Sequence, residues 1–202
     1  PGEISLAHHG VLFLDGLPEF RRDVLEALRQ PLEDGRITIS RVAGQVTYPA
    51  RFQLIAAMNP CRCGWYGTER CTCSNASVQQ YLRRLSGPLL DRIDLQIAVQ
   101  PVEYAALAAR GQAIEESSAS IRTRVMAARQ IQYRRQGEDI CNAHLPPAHL
   151  SECCPLTEDA SQMFHAAFER LGLTARAHDR VLRMARTIAD LANSPVISSD
   201  HL

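Results

Sequence analysis

Lysine is missing from this sequence. All 22 basic side chains in its 202 residues are arginine. No GxxxxGK[ST] segment occurs, which excludes a phosphate-binding P-loop within the chain, because that loop needs its lysine on the β- and γ-phosphates. Net charge is missing too: 22 acidic residues balance the arginines, so attraction to nucleic acid has to come from local arginine clusters rather than from the whole molecule. No apolar run approaches the length that spans a membrane. The opening PGEISLAHHG has neither the basic nor the apolar region of a secretory signal. These absences predict a cytoplasmic protein without a membrane partner. A start at proline inside running sequence, and an end at SSDHL where a helix has just begun, predict a fragment excised from a longer chain.

What is present is organised around GVLFLDGLPEF, residues 10–20. Its apolar run Val11-Leu12-Phe13-Leu14 stops on Asp15. That is the pattern of a buried parallel strand delivering a carboxylate to the C-terminal edge of a sheet, where open α/β folds place their ligands; an ordinary core strand ending in a turn has the same pattern. Residues 3–9 show helical spacing, with Gly10 to stop them. Pro18 suits a first helical turn, and Phe20, Val24, Leu25 and Leu28 recur at helical spacing up to Pro31, as in a surface helix packed on a sheet. Residues 35–48, GRITISRVAGQVTY, alternate as a β-hairpin. It carries Arg36 and Arg41 as one small patch, either solvated or in contact with DNA. A second buried strand, residues 52–58, ends on Asn59-Pro60, since proline stops strand pairing. An acid and an amide thus close two apolar strands, as a phosphate and Mg²⁺ site requires.

Seven cysteines is an odd number, and four of them crowd into CRCGWYGTERCTC. In a cytoplasmic chain this points to reduced thiols, transient redox pairing or a metal before structural disulfides. In extended backbone, Cys61 with Cys63, and Cys71 with Cys73, each aim two sulfurs at one point. Gly64 and Gly67 let the loop fold back, and four thiolates make a closed tetrahedral Zn²⁺ site. Cys141, Cys153 and Cys154 read as small buried apolar residues. Ser77 is placed to cap a helix that Gly87-Pro88 ends. In LLDRIDLQIAV, Asp91 and Arg92 sit on a turn before an alternating strand with Leu95, Ile97 and Val99 on one face; Arg92 is either a surface ion pair or a finger reaching a neighbour's nucleotide. The composition shift over residues 100–120 marks a domain boundary. Residues 118–136 form a helix whose Arg122, Arg124, Arg129, Arg134 and Arg135 read as a solvated face. Residues 139–155 read as irregular. Helices over residues 158–171 and 175–192 complete a small bundle.

Taken in order, PGEISLAHHGVLFLD, EFRRDVLEALRQPLEDGRITISR, PARFQLIAAMNPCRCG, LSGPLLDRIDLQI and LTARAHDRVLRMARTIADL resemble the magnesium-chelatase-like AAA+ ATPases. Within them they are most similar to the competence protein ComM subfamily, over nearly the whole chain. The resemblance implies an α/β fold: a partial AAA+ core in residues 1–100, made of a parallel sheet with flanking helices and a β-hairpin. Connecting helices in 101–136 and an all-α lid domain in 137–202 follow. It implies ATP and Mg²⁺ as cofactors, a Walker A loop upstream of Pro1, and self-assembly into a hexameric ring, the fragment alone staying monomeric or weakly associating. Asp15 resembles the Walker B aspartate that holds Mg²⁺ through water, and Asn59 the sensor-1 residue that positions the attacking water. Arg92 resembles the arginine finger, and Arg176 the sensor-2 residue on the lid. The hairpin resembles the pre-sensor-1 hairpin of helix-2-insert AAA+ proteins, which makes Arg41, and after it Arg36, candidates for DNA backbone contacts. The cysteine segment resembles a ComM-type insertion.

At one position the resemblance fails. Where the family has Asp-Glu, this chain has Asp15-Gly16, so the glutamate that polarises the hydrolytic water is missing. Glu19, at a helix start, is poorly placed to replace it. Three functions stay open. The first is an ATP-driven motor on DNA, a helicase or branch-migration factor in recombination or natural transformation, inactive as a fragment. The second is an ATPase of the chelatase type, driving metal insertion into a porphyrin. The third is a non-hydrolysing, zinc-stapled adaptor.

Overall fold

The computed structural model describes residues 2–42, 44–102, 104, 116–137 and 140–202. The chain forms two compact units, Pro1–Gln96 and Ile97–Leu202. Most of the span between the two predicted domains, residues 103 and 105–115, lies outside the described residues, as does Asp139.

In the first unit α1 (Glu3–Leu6), β1 (Val11–Asp15), α2 (Arg22–Ala27), α3 (Arg29–Asp34), β2 (Arg36–Arg41), β3 (Gly44–Pro49), β4 (Gln53–Ala57), α4 (Asn75–Leu82) and α5 (Gly87–Leu90) follow one another. β1 and β4 pair in parallel, from Val11 opposite Gln53 to Asp15 opposite Ala57. β2 and β3 form the predicted antiparallel hairpin, inserted between those two strands. Side chains alternate across a strand, so Leu12 and Leu14 of β1 face one way and pack against Leu17, Leu25, Leu28, Leu85 and Leu89. Each fully buried leucine contributes about 1.5–3 kcal/mol. Val11 and Phe13, with Ile55 on β4, are exposed. The two strands are therefore covered on one face and not buried on both, because the packed helices of this unit lie on a single side.

Five local expectations change. The predicted helix from Pro18 to Pro31 is a 3₁₀ turn (Leu17–Glu19) followed by α2 and α3. Pro31 has no N–H for the Ala27 carbonyl and its ring crowds that carbonyl, so α2 ends at Ala27. The left-handed residue that stops the chain after α1 is His9, at φ 59°, rather than Gly10. Ser74, not Ser77, caps α4, its Oγ accepting from the Ser77 amide at 3.2 Å. Gly87-Pro88 opens α5 rather than ending α4, because a proline suits a first turn, and Ser86 caps it. The expected strand through Leu95, Ile97 and Val99 does not form: these residues are 64%, 78% and 89% exposed and pair with no described strand. Alternation alone does not make a strand when no edge takes its hydrogen bonds.

The second unit is helical: α6 (Ser118–Gln136), α7 (Leu150–Cys153), α8 (Glu158–Leu171) and α9 (Ala175–Leu191). Ser117, Thr157 and Thr174 cap α6, α8 and α9 through their hydroxyls, and Gly172 ends α8 in the left-handed conformation. Leu145, Leu150, Phe164, Leu182, Ala185 and Ile197 form the core, with Cys153 and Cys154 inside it as predicted. The stretch read as irregular holds two 3₁₀ turns and α7. Cys141 departs from its apolar reading: it is half-buried, and its sulfur lies 3.0 Å from His144 Nδ1. That ring holds the thiol below its ordinary range, against partial burial.

Arg135 is not on a solvated face. Its guanidinium meets Asp190 of α9 with both terminal nitrogens at 2.7 Å, and Asn142 Oδ1 at 2.9 Å. Asp190 is 2% exposed and also accepts from Asn142 Nδ2 at 2.8 Å and from Arg186 Nε at 3.1 Å. Arg186, wholly buried, donates in turn to the carbonyls of Ser194 and Pro195 just beyond α9. Burial raises the Asp190 carboxyl, but Arg135, Asn142 and Arg186 together bring it below the ordinary aspartate range. Asp190→Ala leaves Arg186 buried without its counter-charge and is expected to cost about 3–5 kcal/mol by urea unfolding; a loss below 1 kcal/mol would show that the network contributes nothing net. Since the folded carboxyl is lowered, the pair stabilises above pH about 4 and its contribution fades as pH falls through the lowered value.

Candidate nucleotide and metal site

The register of β1 and β4 sets the first part of the site. Asp15 ends β1 opposite Ala57, and Asn59 follows two residues on, so the expected acid and amide meet at one sheet edge, both exposed to solvent. Gly16 directs the chain into its 3₁₀ turn from a left-handed conformation, φ 68° and ψ 45°. A Cβ there would meet Glu19 Cγ at 3.7 Å, ordinary contact. The obstacle to a side chain is the backbone conformation, at about 1–2 kcal/mol, and not space.

Arg92 lies on the turn after α5, with its side chain 13% exposed. It donates to the Pro88 carbonyl at 2.6 Å and to the Glu33 carboxylate of α3, while its buried Nε has no partner among the described residues. Glu33, Asp34, Glu26, Arg29 and Gln30 line an open cleft of ≈ 350 Å³ beside it. The intramolecular ion pair, one of the two readings from sequence, is thus present. Arg176 is exposed in the first turn of α9 and belongs to the second unit.

The two hairpin arginines do not form the single patch expected. Arg36 pairs with Pro49 at the base and Arg41 with Gly44 at the tip. Four strand residues lie between them, which sets them roughly 16 Å apart and on opposite faces. Sequence reading missed what accompanies Arg36. His8, His9, Asp34, Gly35, Thr47 and Arg51 join it around a cavity of ≈ 490 Å³, where the His8 ring accepts from the Arg51 amide at 3.1 Å. The adjacent histidines before β1 were the only local signal.

The four clustered cysteines do converge. Sγ of Cys61 lies 3.3 Å from that of Cys63 and 4.0 Å from that of Cys71, and Cys63 and Cys71 are 3.7 Å apart. With Cys73, all four sulfurs fall within 4.8 Å of one another, a group able to hold a metal ion. None is in a disulfide. A tetrahedron with Zn–S of about 2.3 Å has S···S edges of about 3.8 Å, which these spacings bracket. The amides of Trp65 and Thr72 hold the Cys63 thiol down at about 6. The Cys73 amide lowers Cys71, but burial and the sulfurs of Cys63 and Cys61 push it up to about 11. Four sulfurs at this spacing are a donor set arranged for a cation.

Two family models match the chain almost end to end: "Magnesium chelatase, subunit ChlI" over residues 1–107, and "Magnesium chelatase, subunit ChlI C-terminal" over residues 115–202. Competence protein ComM of Haemophilus influenzae is 48% identical over 203 residues, covering 100% of this chain and 39% of that protein. YifB of Escherichia coli is 46% identical over 202 residues, covering 100% of this chain and 39% of its own length. Mb2921c of Mycobacterium bovis is 42% identical over 195 residues, 95% of this chain and 38% of that protein. The chain spans less than half the length of these relatives. Among the described residues no helix is long and apolar enough to cross a membrane. The chain belongs to the magnesium chelatase ChlI family.

Proposed function

We propose that this chain is the Walker B to sensor 2 portion of an ATP-driven AAA+ motor. The motor works as a hexameric ring on DNA, as a helicase or branch-migration factor in recombination or natural transformation. The observation that carries this reading is the pair Asp15 and Asn59 at one edge of two parallel strands, with a hairpin inserted between those strands. The name of the Haemophilus relative, a competence protein, supports the process. Bound ATP with Mg²⁺ supplies the phosphoanhydride and the charge that stabilises its cleavage. Asp15 holds the metal through water, Asn59 orients the attacking water, and Arg176 on the helical lid reads the γ-phosphate. Arg92 reaches the nucleotide of the neighbouring subunit. Arg41 at the hairpin tip meets DNA phosphates, with Arg36 second to it. Zn²⁺ on Cys61, Cys63, Cys71 and Cys73 pins the segment that follows Asn59. Having no P-loop lysine, the chain alone turns over no ATP.

The test is ATP turnover by the full-length protein. Branched DNA is expected to stimulate it, and chelatase partner subunits are not. The reverse result favours the second reading, metal insertion into a porphyrin, which the family's own name supports. Gly16 makes a further prediction. In the full-length protein Gly16→Glu restores a carboxylate beside Asp15 and is expected to raise turnover about 10²–10⁴-fold, at a cost of about 1–2 kcal/mol in stability from the left-handed backbone. Equal DNA-dependent turnover with and without the glutamate would remove Gly16 as the cause of slow hydrolysis.

A further inference from the structure

The loop with the four cysteines also carries the one tryptophan of the chain and, next to it, a tyrosine. Neither is packed away: Trp65 is 47% exposed and Tyr66 50%. Tryptophan and tyrosine bring much apolar area and are highly buried on average, so two adjacent exposed rings call for a partner. The local backbone presents them. Gly64 at φ 81° and Gly67 at φ 86° bracket the pair in conformations that other residues avoid. The Trp65 carbonyl accepts from the Thr68 amide at 3.0 Å and from the Thr68 hydroxyl at 2.8 Å, closing a turn around both rings. The Arg70 guanidinium lies 5.0 Å from the centre of the Trp65 ring, within cation–π range. Arg62 is exposed between Cys61 and Cys63, and Glu69 is the one carboxylate in the segment.

We infer that this loop is a binding surface for single-stranded nucleic acid, on which Trp65 and Tyr66 stack bases while Arg62 and Arg70 meet the phosphates. The inference rests on the reading of the protein as a DNA motor, but uses residues apart from both the hairpin and the nucleotide site. Aromatic platforms take any base, since every base has a π-face, and small zinc-held loops are a recurring support for them. Four thiolates on one Zn²⁺ leave the metal centre net negative, so stacking carries more of the affinity than charge does.

The experiment measures anisotropy of a labelled oligothymidylate added to this chain supplied with zinc, together with Trp65 emission. Binding is expected to quench that emission. Trp65→Ala and Tyr66→Ala are each expected to weaken binding about 5- to 150-fold. Trp65→Leu, which keeps bulk without an aromatic face, gives the same loss, whereas Trp65→Phe stays near the parent. Arg62→Gln lowers the salt slope of binding by about 0.7. Zinc content measured on each variant separates loss of stacking from loss of the loop. If the parent binds and the alanine and leucine variants bind as tightly while Arg41→Gln does not, the inference is overturned and the motor reading stands. If no form binds or Trp65 emission stays unchanged, the inference is likewise overturned, and the motor reading is decided by branched-DNA stimulation of the full-length protein.

Discussion

Stripping metal from this chain with a chelator is expected to shift the emission of Trp65 to the red and to open residues 61–73 to proteolysis. Turns hold this segment: the amides of Gly64, Thr68 and Cys71 donate to the carbonyls of Cys61, Trp65 and Thr68 at 3.0–3.1 Å. Of its side chains Cys61 alone is fully buried. Short turns of this kind do not outweigh the entropy of ordering thirteen residues, at about 1–2 kcal/mol each for the backbone. A structural zinc, at about 10–16 kcal/mol of apparent binding free energy, is of the same order as that cost and offsets much of it. Metal analysis of protein purified without chelators should find about one zinc per chain, and Cys61→Ser should lose it. A metal-free chain with the same tryptophan emission and the same protease resistance would defeat the zinc assignment. Because the sulfurs already lie 3.3–4.0 Å apart, oxidation of the stripped chain is expected to trap disulfides among them.

Arg92→Ala in the full-length protein is expected to lower ATP turnover by about 10³–10⁵-fold, the range for arginine fingers in well-studied GTPases. The alternative role, holding α3 through Glu33, makes a different prediction. That pair is partly exposed on the glutamate side, at 47%, and pairs of this kind contribute about 0–1 kcal/mol. Losing it should barely move the unfolding midpoint of the present chain. The discriminating variant is Glu33→Gln, which removes the ion pair but keeps the guanidinium and its bond to the Pro88 carbonyl: a finger keeps its turnover or gains, whereas an arginine whose role is the pair loses turnover as Arg92→Ala does. Mixing Arg92→Ala subunits with subunits disabled at the P-loop sharpens the test, since a finger acting across the interface restores turnover in the mixed ring. Turnover unchanged by Arg92→Ala would end the assignment.

Much of the candidate site was legible because punctuation marks it. An acid after four apolar residues and Asn-Pro after another apolar run located Asp15 and Asn59, and parallel pairing in register brought them to one edge. The cysteine spacing located the thiol cluster, but Cys61 and Cys63 converge on a turn closed by the Gly64 amide on the Cys61 carbonyl and not through the extended backbone expected for them. Helical periodicity, by contrast, ran straight through Leu28 up to Pro31 and hid the break between α2 and α3, because apolar spacing carries no information about a missing N–H. Alternation over Leu95, Ile97 and Val99 mimicked a strand for the same reason: the pattern describes one chain, and a strand needs two.

The lack of lysine, the glycine at position 16 and the four thiols within thirteen residues are written in the sequence alone, because each is a matter of which chemical groups the chain owns. Tertiary structure decided which charges are inside. Arg135 looked like one of five arginines on a wet helix face, yet it is held by Asp190, 55 positions away, and Arg186 is sealed beside them. Arg36 and Arg41 likewise parted only when the hairpin took its register. Burial of a charge depends on a partner that desolvation makes obligatory, and partners so distant in sequence leave no local periodicity to read.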